Sequence, residues 1–175
     1  MILFSLIAYP CFWGDDGINI RIIAVGKMKE RFYREGGSFY TKMLSPYTRL
    51  EIIEVPEAPP GLQGSPGEKK ALEFEANKIL RFLREDAFLV VLDAGGKEFS
   101  SPAFASFLQN LRLEGRVKLD IIIGGPDGLS PLFKERSDLL LSFSEMTFPH
   151  RLARLILLEQ LYRSFKIIHG EPYHR

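Results

Sequence analysis

Cysteine is almost missing from this chain: Cys11 is the only one in 175 residues. A lone thiol closes no internal disulfide and cannot by itself build a Cys-based zinc site, which excludes a disulfide scaffold and points to a reducing, cytoplasmic setting. Histidine is scarce as well. His150, His169 and His174 all fall in the last segment, and no pair has the His-x-x-x-His spacing that sets two ligands on one helix face, so no metal is expected. No apolar run approaches the roughly 20 residues needed to cross a bilayer, so no membrane partner is expected. The one candidate, residues 1–13, has no Lys or Arg before it and runs into Gly14-Asp15-Asp16-Gly17 rather than a small-x-small cleavage site. Residues 1–17 therefore read as an extension outside the core, and 18–175 as a single domain. A charge excess is missing too: Lys plus Arg is 23 and Asp plus Glu is 22, a net +1.

Common nucleotide motifs are also absent. A P-loop needs Lys followed by Ser or Thr, but Lys97 is followed by Glu98. No G-x-G-x-x-G follows the first strand-like run, and no G-x-S-x-G elbow occurs.

What is present, from residue 18 on, is alternation. Residues 18–25 (INIRIIAV), 50–55 (LEIIEV), 88–92 (FLVVL), 119–123 (LDIII) and 139–143 (LLLSF) read as strands. Helical periodicity covers 27–43, 68–84, 102–113, 131–136 and 150–168, with Gly36-Gly37 weakening the first. Residues 56–67 hold four prolines and three glycines and read as a loop. Ser65-Pro66, Ser101-Pro102 and Ser130-Pro131 each look like a capping hydroxyl ahead of a proline at the first helical position. Strands alternating with helices predict an α/β fold with a mostly parallel sheet flanked by helices. FLVVL and LDIII lack polar alternation, as strands covered on both faces do.

Ligands of such sheets bind beyond the carboxyl ends of the strands. That directs attention to residues 93–98 (DAGGKE), 124–130 (GGPDGLS) and 144–149 (SEMTFP). Glycine at a strand end lets a ligand approach the backbone, although tight strand–helix turns favour glycine anyway. Three such loops on one rim would form a cleft lined by backbone N–H and C=O groups, suited to an adenine edge and ribose hydroxyls.

IIAVGK (22–27), IIGGPDGL (122–129), SFSEMTFPH (142–150) and the closing Pro172-Tyr173-His174-Arg175 together resemble the RlmH (YbeA-like) family. These are SPOUT-class methyltransferases of a large-subunit ribosomal RNA pseudouridine. The resemblance runs from about residue 20 to 175. It departs in the extension at 1–17 and in Glu75-Ala76, where the family often has Glu-Gly. It implies a trefoil-knotted chain path, which runs against the usual connection rules, and a homodimer acting on the rRNA or the ribosome. It also implies S-adenosyl-L-methionine as cofactor, held by Leu92, Gly124, Phe143, Ser144, Glu145, Met146, Thr147 and Phe148. The reaction would carry the methyl group to N3 of the pseudouridine.

An uncharged N3–H is a poor nucleophile, so the protein must help its proton leave. His174, with a near-neutral reference pKa, is assigned as base or substrate contact, against simple solvation. Arg154 lies one turn after His150 and would stabilise the developing anion or grip phosphate, against a structural salt bridge. Tyr173 would stack on a base, against simple packing. His150 reads as a helix-start residue. The last helix is apolar over more than one face: Leu152, Leu155, Ile156 and Tyr162 can fill a core, while Leu157, Leu158, Leu161 and Phe165 are expected as surplus apolar surface lying in part against a second subunit, and residues 170–175 would then complete the partner's site. The competing reading is a non-catalytic RNA- or ribosome-binding factor of the same fold, which would bind no cofactor. The net charge fits either. Residues 20–48 carry +4 and 149–175 carry +3 around a middle, 51–75, of −4, so a local basic surface for RNA remains.

Overall fold

The computed structural model describes residues 17–62 and 68–173. In chain order these form β1 (Asn19–Val25), α1 (Arg31–Leu44), β2 (Arg49–Val55), a 3-10 turn (Pro60–Leu62), α2 (Glu68–Ile79), β3 (Phe88–Glu98), α3 (Ser101–Leu113), β4 (Lys118–Ile123), α4 (Pro131–Arg136), β5 (Leu139–Ser142) and α5 (His150–Ile168). The expected α/β architecture is what forms. The sheet runs β2-β1-β4-β3-β5, and its strand pairs are parallel.

Side chains of successive residues point to opposite faces of a strand, so each inner strand feeds two cores. Ile20, Ile22, Leu119, Ile121 and Val90 face α1, α3 and α5, where Leu44, Leu108, Leu157 and Phe165 are buried with them. Leu157, Leu158, Leu161 and Phe165, expected as surplus surface, are thus core, and Leu152, Leu155 and Ile156 are the partly covered ones, because α5 turns the former toward the sheet. Ile23, Val25, Ile122 and Val91 face the other side, against Ala76 and Ile79 of α2 and Phe133 of α4. Both faces are covered, which explains why FLVVL and LDIII carry no polar alternation. The chain leaves β3 for α3 on one face and leaves β4 for α4 on the other. A crevice therefore opens between the carboxyl ends of these neighbouring strands.

Several boundaries differ from the sequence reading, each for a tertiary reason. The first helix begins at Arg31, not Lys27, because the backbone before it is engaged elsewhere: Met28 N–H donates to Glu54 (3.0 Å), and Lys27 C=O accepts from Arg151 (3.1 Å). Gly36-Gly37 does not break that helix. A Cβ on Gly36 would lie 3.0 Å from Leu155 Cδ1, so the pair lets α5 approach closely. The second helix stops at Ile79 instead of Arg84, whose backbone N–H goes to Asp120 (2.8 Å). The strand read as 88–92 continues to Glu98. Its register on β5 jumps between Leu92 and Lys97, both opposite Leu141, so residues 93–96 bulge out of an otherwise continuous strand. Ser65-Pro66 and residues 1–16 lie outside the described residues.

The cap of α3 is Ser100, not Ser101: its side chain accepts from Ala103 N–H at 3.3 Å, while Ser101 Oγ donates to Gln160 of α5 (2.8 Å). Ser130 holds the expected position before α4 but makes no side-chain cap bond. Replacing Ser100 with alanine is expected to lower unfolding free energy by about 1 kcal/mol, read from denaturant melts at fixed protein concentration.

Candidate functional site

The three loops singled out from sequence meet at one rim. With the start of α5 they enclose a cavity of about 890 Å³, within the range of small-molecule sites. Its walls come from the carboxyl ends of β3, β4 and β5.

The floor is the Gly124-Gly125-Pro126-Asp127-Gly128 turn, closed by a Gly128 N–H to Gly125 C=O bond of 3.1 Å. Gly124 has no room for a side chain: a Cβ there would sit 2.5 Å from Gly128 O and 2.7 Å from Leu129 Cγ. The turn is thus packed tightly on itself, with Gly124, Gly125, Pro126 and Gly128 along the cavity. Beneath Gly125 lies the buried carboxyl of Glu75, which accepts from Ala58 N–H (2.9 Å) and whose pKa burial pushes up.

On one wall, Asp93 pairs with Lys134 of α4 at 2.5 Å and accepts from Gly95 N–H at 3.0 Å. The Lys134 contact holds the Asp93 carboxyl below the usual range. The opposite wall follows β5. Ser142 Oγ donates to Ser144 C=O (2.9 Å), Ser144 Oγ accepts from Met146 N–H (3.0 Å), and Phe143 meets Phe148 edge-on. This loop is therefore shaped by its own bonds, and Met146 stands 73% exposed at the mouth.

His150 and Ala153 close the cavity at the start of α5. Behind them Arg154 is 1% exposed and donates to Glu54 Oε1 (2.6 Å) and to Gly26 C=O (2.7 Å). It ties α5 to the ends of β1 and β2.

This frame has known counterparts. The family model described as "Predicted SPOUT methyltransferase" matches residues 18–174. The chain belongs to the SPOUT methyltransferase family. Curated SPOUT relatives named "Ribosomal RNA large subunit methyltransferase H" include one from Carboxydothermus hydrogenoformans, 51% identical over 90% of this chain and 100% of its own length. Another, from Desulforamulus reducens, is 48% identical over 90% of this chain and 99% of its own length. Among solved structures, a probable methyltransferase from Bordetella pertussis Tohama I aligns at a TM-score of 0.50 and 12% identity, covering 85% of this chain and 95% of that one. At that identity it speaks for the SPOUT fold alone.

Within the SPOUT frame, Leu92, Gly124, Phe143, Ser144, Met146, Thr147 and Phe148 line the cavity. Glu145 does not; it is an exposed residue of the third loop. Arg154 sits behind the wall with its charge met by Glu54. Tyr173 is elsewhere. Its ring packs edge-on against Tyr162 (4.8 Å) under the Arg163 guanidinium (4.9 Å), and its hydroxyl donates to Glu159 (3.4 Å). Burial pushes that hydroxyl's pKa up, so it stays protonated. Tyr162 lies 12 residues along α5 from His150, about 18 Å at 1.5 Å per residue. His174 and Arg175 lie outside the described residues.

Sequence reading missed Lys134 and Glu75. Only Lys134 left a local trace, in the first turn of a proline-started helix. Glu75 is brought in by α2, where it accepts from Ala58 N–H in the loop after β2.

Proposed function

We propose that this SPOUT methyltransferase transfers the methyl group of S-adenosylmethionine to N3 of a pseudouridine in large-subunit (23S) ribosomal RNA. The observation that carries the reading is the coincidence of two facts. Full-length relatives near 50% identity bear an rRNA large-subunit methyltransferase name. The cavity in this chain is built from the three loops that would hold the cofactor.

The residues present fit that cofactor. The crowded Gly124 turn offers bare backbone, Leu92, Phe143 and Phe148 offer apolar walls, and Thr147, Ser144 and the backbone offer hydrogen-bonding groups. Bound there, S-adenosylmethionine supplies a methyl group on a sulfonium that leaves readily. The protein's part is to align the acceptor and take its proton. Arg154 fixes the start of α5 against Gly26 and Glu54, and so holds the wall at which the acceptor would sit.

The working form in this reading is a homodimer in the cytoplasm, where ribosomes are. Tyr173 cannot reach the cavity of its own chain, whereas Leu152, Leu155 and Ile156 of α5 are only partly covered and Phe32 and Phe39 of α1 are 68% and 56% exposed. A second copy against this face would bring Tyr173 and His174 to the cavity as substrate contacts. Among the described residues no helix is long and apolar enough to cross a membrane. Residues 18–175 form the methyltransferase domain, with 1–17 as an extension; the family match begins at residue 18.

Methyl transfer to intact ribosomes, isolated large subunits and naked rRNA tests the reaction; no transfer to any of the three overturns it. Mixing a chain cut after residue 169 with a Gly124→Val chain tests the shared site. Mixed dimers should regain activity that neither parent has, and no recovery removes the composite arrangement.

A further inference from the structure

Three buried side-chain atoms lack a hydrogen-bond partner among the described residues: Glu57 Oε1, His150 Nε2 and Arg154 Nε. The first two are neighbours, 3.7 Å apart. The gap between them is narrow, since a Cβ on Gly26 would stand 2.2 Å from Glu57 Oε1 and 3.1 Å from His150 Nε2. Gly26 itself has φ +82°, a conformation that suits glycine. Leaving a buried polar atom unpaired is costly, and such atoms call for an explanation beyond stability. His150 also forms part of the cavity wall. His150 is thus a residue of the cavity wall whose Nε2 meets a carboxylate.

We propose that His150 is the proton acceptor of this site and that Glu57 is the residue that positions it. The inference rests on the methyl-transfer reading above. With Nε2 turned to Glu57, Nδ1 is the ring nitrogen left for the substrate. The proton on N3 passes to Nδ1. The electron pair it leaves on N3 forms the bond to the methyl carbon, and the pair of the broken C–S bond stays on the donor sulfur. One positive charge enters on the sulfonium and one leaves on the imidazolium, which then lies beside the Glu57 carboxylate. A carboxylate that faces a histidine in this way fixes ring orientation and steadies the charged form.

The surroundings suit a base that starts neutral. Burial holds His150 below its usual value, and Arg151 and Arg154 on its own helix act in the same direction. Glu57 after β2 and Glu30 before α1 act against them. Arg151 is itself drawn to Glu30 (2.7 Å) and to Glu57 (3.5 Å), and Glu54 takes up the Arg154 charge. Glu75, which feels the Glu57 charge, has its carboxyl raised chiefly by burial. Glu57 is thus the carboxylate that meets Nε2 directly.

Two measurements on the full-length protein test this. The first is the imidazole titration of His150 by NMR, without cofactor or RNA. Glu57→Gln removes the facing charge and is expected to move the midpoint down. The second is steady-state methyl transfer to the ribosomal substrate. Glu57→Gln should lower kcat with KM held, and should move the acid limb of the rate profile to lower pH; Glu57→Asp should restore part of kcat. His150→Gln should lose about 10²- to 10⁴-fold in kcat while its calorimetric affinity for S-adenosylmethionine and its melting temperature stay close to wild type. An unmoved His150 midpoint in Glu57→Gln, or a His150→Gln kcat within about threefold of wild type, overturns the proposal. Active wild type with unaffected variants removes this inference alone, whereas inactive wild type removes the proposed function with it.

Discussion

Gly124→Ala is expected to weaken S-adenosylmethionine binding by about a hundredfold while leaving the fold in place. The added Cβ would have to fit 2.5 Å from Gly128 O and 2.8 Å from Gly128 C. These are backbone atoms of a turn closed by its own hydrogen bond, so the turn as a whole must open. A shift near 1 Å in a positioning element can cost about 10²-fold in rate, and a loss of that order is expected in the affinity for a cofactor that rests on the turn. The damage stays local because the turn sits at the rim, beyond the last ladder pair of β4. Gly95→Ala is the matched control. It lies on another loop of the same rim, and its Cβ would meet only the Asp93 side chain, at 3.3 Å. Calorimetry with S-adenosylmethionine, alongside thermal melting, checks the pair. Equal affinities for the two variants would show that the floor of the cavity does not hold the cofactor.

The second large effect is expected far from the site, at the opposite rim of the sheet. Asp120 on β4 is 1% exposed. Its Oδ1 accepts from Arg84 Nε (2.9 Å) and Nη2 (2.6 Å), and its Oδ2 accepts from the Arg84 backbone (2.8 Å). The same guanidinium donates to the carbonyls of Asn19 (3.1 Å) and Leu119 (3.0 Å). One side chain thereby pins the turn after α2 to the starts of β1 and β4. Arg84→Met keeps the aliphatic stem but strands a buried carboxylate, and removing one partner of such a pair costs about 3–5 kcal/mol. That is a large part of the 5–15 kcal/mol by which domains are usually stable. Asp120→Asn should cost less, since its side-chain oxygen can still accept from the Arg84 backbone. Urea unfolding at a fixed protein concentration measures both, and equal losses would contradict the account.

Much of the site could be seen along the chain because its parts are local. Each loop follows a strand that its own composition marks, and the parallel sheet brings strand ends to one rim. The last helix was legible to the residue, 150–168, because proline sets its start and its periodicity is long. What stayed hidden depends on partners distant in sequence. Arg154 could be placed on the face of His150, but Glu54, 100 residues earlier, is what meets its charge. Ser101 looked like the cap of its helix, yet Gln160, 59 residues later, takes its hydroxyl and Ser100 caps instead. The excursion at residues 93–96 reads as a loop because nothing local tells that Lys97 returns to the same partner as Leu92.

The strand order has a consequence for how the molecule is made. β4 lies between β1 and β3, with Ile20 opposite Leu119 and Val91 opposite Ile122. During synthesis β1 and β2 can pair early, but they stay separate from β3 until residues 118–123 have left the ribosome. Joining them then requires a late strand to be seated between two earlier ones, with long loops closed at once, a topology that folds slowly. The nascent chain therefore lacks the Gly124–Gly128 turn until β4 has been synthesised, and until then the facing edges of β1 and β3 are unpaired and open to aggregation.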